Sequence, residues 1–268
     1  MKSRARYPGL RQFILIFAIA APVWTIFFIQ QNLLLALVPL FVSHALLLYP
    51  TLYPHSQWWG PVIRSFATSE KEVWITIDDG PTPEHTEEIL DLLDHYEARA
   101  TFFVIGDRVK KCPELVEKIR GRGHEVANHT LTHPSHTFWR AFESKIFAEI
   151  DGCDEALARG VQRGRSFFRP PVGHKNFLVH PVLRRRGMLL IGWTARGFDT
   201  GKRRPDAVAA RIIKQTRPGT IVLLHEGHQI ERDPKHSVEC VALTLRQLSE
   251  NGYRFVIPAS RQLRTNAA

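Results

Sequence analysis

Thr76-Ile77-Asp78-Asp79-Gly80-Pro81 closes an apolar run that starts at Val73, and the run turns acidic without a break. Residues 73–77 read as a buried strand, Gly80-Pro81 as the turn that stops it, and Thr82-Pro83 as the N-cap and first position of a helix. Ile89, Leu92, Leu93 and Tyr96 then recur at helical spacing. The same alternation continues, with strands expected at 101–105, 125–128, 166–169, 188–193, 220–224 and 254–257. Helices are expected from Pro113 to near Gly121 and over 138–157, 176–186, 206–216 and 237–252. Strands separated by helices predict an α/β fold with a mostly parallel sheet, here a distorted (β/α)7-type barrel; an open doubly wound sheet is the competing architecture. Polar residues favour the barrel. Asp78 and Asp79 follow the first strand, His129 the third, Arg169 the fourth, Asp199 the fifth and His225 the sixth, and a barrel gathers all such strand ends on one face.

His129-Thr130-Leu131-Thr132-His133 adds two imidazoles to the two adjacent carboxylates. A catalytic divalent metal that keeps an open position takes about three protein ligands, which leaves one of these four groups free to handle protons. Two histidines four apart present both rings to one point from a helical turn or a tight loop. Taken singly, an acidic pair is as readily a turn or cap and an H-x-x-x-H a solvated face. Together, at matching strand ends, they predict a metal-dependent hydrolase.

These motifs resemble the polysaccharide deacetylases of the NodB-homology type (carbohydrate esterase family 4), and the resemblance covers roughly residues 73–258. It implies a metal-dependent carbohydrate N-deacetylase in which Asp79, His129 and His133 hold the ion and Asp78 is the base. Arg169-Pro170-Pro171-Val172-Gly173 resembles a third motif, whose arginine pairs with the base; a cation beside Asp78 would keep that carboxylate ionised. The backbone N–H of Val172 is then a donor to the tetrahedral oxyanion, although the family usually carries an aromatic at this position. Leu223-Leu224-His225 resembles a fifth motif, with His225 as general acid and Leu223 lining the acyl pocket. The fourth motif departs from the family: Arg196-Gly197-Phe198-Asp199-Thr200 keeps Asp199 to tune His225 but lacks the tryptophan that walls the acyl group. Glu226 replaces a common aspartate and is read as structural, while His136, His174 and His228 are read as loop or surface histidines. Zinc is the default ion for one Asp and two His, with cobalt or nickel able to use the same ligands.

Residues 13–29 and 33–49 are uncharged apolar runs separated by Gln30, Gln31 and Asn32. Each has 17 residues, the short end of the spanning range. A signal peptide ends its apolar region sooner and at small residues, so the expectation is a transmembrane helical hairpin, with a single or re-entrant segment as the alternative. Residues 1–60 are thus the membrane anchor and 61–268 the catalytic domain. Lys2, Arg4, Arg6 and Arg11 precede the first run, no charge separates the runs, and Arg64 and Lys71 follow. By the positive-inside rule this is a multi-pass inner-membrane protein with a cytoplasmic catalytic domain. Trp58 and Trp59 suit the headgroup level.

The chain has 268 residues, 44% hydrophobic, with a formal charge of +10, enough for one cored domain plus the anchor. Cys112, Cys153 and Cys240 fit neither a disulfide framework nor a zinc knuckle. Lys202, Arg203 and Arg204 follow Asp199 on the side where substrate enters, and such groups hold phosphates by charge-assisted hydrogen bonds. Arg184, Arg185 and Arg186 read as a plain basic surface. The expected partner is an N-acylated amino-sugar glycan, carried on a membrane lipid. Alternatives are an exported polymer such as peptidoglycan as substrate, or a catalytically silent sugar-binding module. Dispersed basic residues without interleaved aromatics argue against nucleic acid.

Overall fold

A computed structural model describes residues 9–157, 167–227 and 235–264. Lys2, Arg4, Arg6, Ser166 and His228 lie outside the described residues. The chain opens with α1 (Leu10–Phe28) and α2 (Leu33–Leu52), packed together as a hairpin. Both are long and apolar enough to cross a membrane, and only 11% and 17% of their apolar windows are buried, unlike the core helix of a soluble domain. Asn32 caps α2 by accepting from Leu35 N–H at 2.9 Å. Thr25 Oγ1 lies 2.9 Å from the carbonyls of both Ala21 and Ala36, and Trp24 Nε1 donates to Leu35 O at 2.9 Å. Hydrocarbon would leave those groups without partners, so the contacts suit a lipid setting.

The rest alternates β1 (Ser65–Phe66), β2 (Glu72–Gly80), α3 (Thr86–His95), β3 (Ala100–Val104), α4 (Gly106–Lys111), α5 (Pro113–Gly121), β4 (Glu125–Asn128) and α6 (Glu143–Leu157). Then come β5 (Phe167–Phe168), α7 (Val179–Arg186), β6 (Leu189–Leu190), β7 (Ala195–Arg196), α8 (Pro205–Gln215), β8 (Thr220–His225), α9 (His236–Glu250), β9 (Arg254–Phe255) and β10 (Leu263–Arg264). The sheet runs β10-β1-β8-β2-β3-β4-β5-β6, with β7 on β8 and β9 on β2. All pairs are parallel except those of β1 with β8 and β10.

Period-two alternation sorts each strand between two environments. Val73, Ile75 and Ile77 of β2 pack outward with Ile89 and Leu93 of α3 and Val241 and Leu245 of α9. Trp74 points inward with Phe103, Phe167, Trp193, Ile221 and Leu223, and a third cluster lies where α6 and α7 cover Phe168. Thr76 and Asp78 share the inward side of β2, so the catalytic candidates continue the inner core toward the strand ends.

The expected barrel is realised as an α/β half-barrel, not a closed ring. Residues 188–193, expected as one strand, form only the short β6 beside β5; the chain then crosses at Gly192, and β7, beyond the expected strand, pairs β8. No ladder joins β6 to β7 among the described residues; instead Ile63 bridges Ile191 and Ser65 pairs Thr220 across the gap. Asp199 therefore follows β7, next to His225, rather than the strand beside β5. Another correction concerns Thr82: α3 starts at Thr86, whose Oγ1 accepts from Thr82 N–H at 2.8 Å, so Thr82 belongs to the preceding turn. Pro81 and Pro83 flank Thr82, and residues 83–85 form a turn in which Thr82 O accepts from His85 N–H (3.3 Å) and Thr86 N–H (3.0 Å) before α3 starts.

The end of α2 is seated on the rim of the half-barrel, against the loop that follows β5. Lys175, fully buried, donates Nζ to Pro54 O at 2.8 Å and Tyr53 O at 3.3 Å, and its N–H reaches Thr51 O at 3.1 Å. Trp59 Nε1 donates to Thr51 Oγ1 at 3.1 Å, and His55 meets Trp193 edge to face at 5.1 Å. Gly173 adopts φ 76, and a Cβ there would fall 2.7 Å from both Pro54 and Trp193. Gly173→Ala is expected to lower the unfolding midpoint of the full chain in detergent; the left-handed backbone alone costs about 1–2 kcal/mol. An unchanged midpoint would show that the anchor and the rim do not share this contact.

Candidate metal centre and active site

Two adjacent strand residues face opposite sides, yet Asp78 and Asp79 both reach the same site. Asp79 has φ 71 and the β2–β3 register slips between Asp78 and Gly80, a bulge that swings Asp79 inward. Its Oδ1 lies 3.3 Å from His129 Nε2 and 3.2 Å from His133 Nε2. One donor atom from each of Asp79, His129 and His133 falls within 4.8 Å of the others. Gly80 leaves room next door for Glu226: a Cβ there would fall 1.8 Å from Glu226 Oε1 and force that side chain to move.

The histidines are held by a loop rather than a helical turn. Thr130 and His133 have φ 70 and 52, Thr130 N–H donates to Asn128 Oδ1 at 2.9 Å, and His133 N–H to Thr130 Oγ1 at 3.1 Å. Buried Glu149 of α6 accepts from both Thr132 N–H (2.9 Å) and Thr132 Oγ1 (2.8 Å). His129 Nδ1 sits 2.7 Å from Arg169 O, which fixes Nδ1 as the protonated nitrogen and frees Nε2 to coordinate.

The donor set fits a divalent cation. Burial and then the neighbouring His129 push His133 down to about 4, so its ring is neutral at physiological pH, the form able to coordinate. His129 goes the other way: burial disfavours its charge, but Asp78 and Asp79 raise it. That pull marks excess negative charge at this point, which a cation would balance.

Asp78 Oδ1 receives Arg169 Nη1 at 2.6 Å, and both side chains are buried. The same nitrogen reaches Thr76 Oγ1 at 2.9 Å, while Nε and Nη2 donate to the carbonyls of Ile191 (3.2 Å) and Gly192 (3.0 Å). The guanidinium also lies 4.1 Å from the Phe103 ring centroid. Its orientation is over-determined, and so is that of the carboxylate it holds.

Asp199 grips His225 twice, Oδ2 accepting from the backbone N–H at 2.7 Å and Oδ1 lying 3.0 Å from Nδ1. Burial opposes the charged ring, but Asp199, with smaller contributions from Asp79 and Asp78, raises it to about 9. The stabilisation from this pair is complete below the ring's ordinary 6.5 and is lost as pH rises through about 9. Asp199→Asn is accordingly expected to shift the alkaline limb of the pH–rate profile to lower pH; an unmoved limb would separate His225 from the proton transfer.

Of the remaining candidates, Val172 is half-exposed at φ 49, a costly conformation for a β-branched residue, in the turn closed by Gly173 N–H to Pro170 O at 2.9 Å. Leu223 is buried one alternation below His225. Lys202, Arg203 and Arg204 are exposed on the loop before α8, and Arg204 is turned to Asp206 at 2.8 Å rather than toward the site. His136 is exposed, as expected of a surface residue. Glu226 is buried, accepts from Thr86 Oγ1 at 2.6 Å, and is raised to about 7 by burial. Sequence reasoning missed Thr76, Asn128, Glu149 and Arg108, which donates to the Asp79 carbonyl. Only Thr76 left a signal, as the residue two before the base on the same strand face.

A family model described as polysaccharide deacetylase matches residues 66–191. The chain is 34% identical over 209 residues to a peptidoglycan-N-acetylglucosamine deacetylase of Bacillus cereus, covering 74% of this chain and 91% of that protein. It is 32% identical to a chitooligosaccharide deacetylase of Bradyrhizobium sp., covering 70% and 84%. The chain belongs to the polysaccharide deacetylase family, hydrolases of amide carbon–nitrogen bonds. Among solved structures it superposes on a peptidoglycan N-acetylglucosamine deacetylase in complex with 4-naphthalen-1-yl-N-oxidanyl-benzamide with TM-score 0.65, at 28% identity over 72% of this chain and 88% of that one. It also matches a pseudoenzyme of the same esterase family from Bacillus anthracis, with TM-score 0.61 and 27% identity over 70% and 64%.

Proposed function

We propose that the protein is a membrane-anchored, metal-dependent N-deacetylase that removes the acetyl group from an amino sugar carried on a lipid. The observation that supports it best is the convergence of three pairings from distant parts of the chain: Asp79 with His129 and His133, Asp78 with Arg169, and Asp199 with His225. Asp79, His129 and His133 would hold the cation, with zinc the default for this donor set. When bound, the ion supplies Lewis acidity toward water and the amide carbonyl. Asp78 takes the proton from the attacking water while Arg169 keeps its carboxylate aimed. As the carbonyl oxygen gains charge, the Val172 N–H donates to it, and Leu223 lines the acyl side. The carbon–nitrogen bond then breaks as His225 delivers its proton to the departing amine, leaving acetate and a free amino sugar.

A silent carbohydrate-binding module of the same fold would have no need of both an oriented base and an oriented acid, although the fold does include a pseudoenzyme from Bacillus anthracis. Residues 1–60 act as the anchor and 61–268 as the catalytic domain. Basic residues before α1 and after α2, with none between, support a hairpin whose two ends and catalytic domain are cytoplasmic. An activity reporter fused after Gly60 that worked only outside the inner membrane would reverse that orientation. Substrate choice is read by mass spectrometry of lipid and polymer fractions from cells lacking the protein. An added acetyl mass on a lipid-linked amino sugar is expected; the same mass confined to peptidoglycan would move the substrate to the polymer named for the relatives.

A further inference from the structure

The hairpin leaves the domain at its catalytic rim. Tyr53 and Pro54 sit on Lys175 and Gly173, next to Val172, and His55 sits on Trp193, whose ring lies 5.8 Å from the Arg169 guanidinium. Tyr49 and Tyr53, in the last turn of α2 and just beyond it, are exposed and stacked at 5.4 Å, with Trp58 4.9 Å from Tyr49. An aromatic cluster at the end of an apolar helix is the usual mark of the headgroup layer.

A separate observation concerns the domain itself. Outside α1, α2 and the adjoining residues, the exposed large apolar side chains among the described residues are Phe142 (80% exposed), Val172 (49%) and Phe198 (40%). Phe142 lies between β4 and α6, Val172 between β5 and α7, and Phe198 between β7 and α8. All are loops that follow the C-terminal ends of parallel strands, the same end of the half-barrel on which the hairpin is seated. Exposed Arg140, Lys202 and Arg203 lie on the same loops. The guanidiniums of Arg196 and Arg211 also lie against the Phe198 ring, at 4.1 and 4.9 Å, and apolar tips with cations on the same loops are the chemistry of insertion into an anionic bilayer surface.

We infer that the catalytic rim docks on the bilayer through Phe142, Val172 and Phe198, so that the active-site mouth opens onto the lipid headgroups rather than onto bulk water. This rests on the reading of α1 and α2 as membrane spans and deepens it. A cation-loaded site facing that layer takes an amino sugar whose lipid tail never leaves the membrane, which limits the reach of the enzyme to sugars within a headgroup's distance. Lys202 and Arg203 then meet the phosphates of the surface or of the carrier.

The test uses the full chain in phosphatidylethanolamine–phosphatidylglycerol vesicles, with an environment-sensitive fluorophore on Phe142→Cys, on Phe198→Cys, on Phe27→Cys in α1, or on Glu97→Cys at the opposite end of the half-barrel, each on a Cys112→Ser background. Lipids brominated near the headgroup are expected to quench the first two and Glu97→Cys to remain bright; Phe27→Cys is expected to respond to bromines placed along the acyl chains. If Phe27→Cys responds but both rim probes stay as bright as Glu97→Cys, the docking inference falls and the anchor stands. If Phe27→Cys does not respond, both fall. Rim probes that ignore lipid and shift instead with soluble N-acetylglucosamine oligomers would make the rim a glycan groove and overturn the inference.

Discussion

Asp79→Asn is expected to remove the cation and the activity in one step, whereas Asp78→Asn is expected to keep the cation and lose turnover. The two side chains are neighbours, yet they serve different atoms: Asp79 Oδ1 faces both imidazoles and Asp78 Oδ1 faces Arg169. Losing the ion removes several kcal/mol of transition-state stabilisation, at least about 10³-fold in rate. Losing the base alone costs about 10²–10⁴-fold. His129→Ala should behave like Asp79→Asn, because its Nδ1 bond to Arg169 O commits Nε2 to the ion. Metal content by mass spectrometry and acetate release, measured on the same preparations, separate the two classes. Full activity after exhaustive chelation would overturn the assignment.

Arg169→Met is expected to destabilise the fold by about 3–5 kcal/mol, as removal of one partner from a buried ion pair does. Asp78 would be left charged in a buried site, and Thr76 and the carbonyls of Ile191 and Gly192 would lose their donor. Lysine cannot repair this: a compact ammonium does not reach acceptors arranged around a planar fork, so Arg169→Lys should recover only part of the stability. Denaturant unfolding in detergent gives the stability, and cation content reports whether the metal site survives. Arg169→Met with an unshifted midpoint would mean that the arginine serves the reaction but not the fold.

How much of this was legible follows from which signals are periodic. Asp78 and His225 were legible as neighbours because each follows a short apolar run, and the parallel strands β2 and β8 bring such ends to one face of the sheet. The bulge at Asp79 has no such signature beyond the glycine that follows it, yet it brings the second carboxylate into the site. Asp199 was assigned to the right neighbour, His225, but to the wrong strand, since residues 188–193 read as one apolar run and nothing periodic marks the crossing at Gly192. Glu149, Arg108 and Lys175 act across many residues of separation, on loops whose geometry is set by tertiary contacts. Their roles became visible only with the folded chain. The same holds for the rim: Phe142 and Phe198 are unremarkable in a loop, and only their shared end of the half-barrel gives them meaning.

The ladder between β1 and β10 has a consequence for biosynthesis. Gln262 Nε2 donates to Ala67 O across 195 residues, and Ser65 pairs with Arg264, so β1 cannot complete its pairing until residues 262–264 have been made. On the ribosome, α1 and α2 are complete long before those residues exist. The seam between β1 and β10 is thus sewn late, and a premature stop only slightly upstream of residue 262 would leave an intact helical hairpin carrying an unfinished sheet.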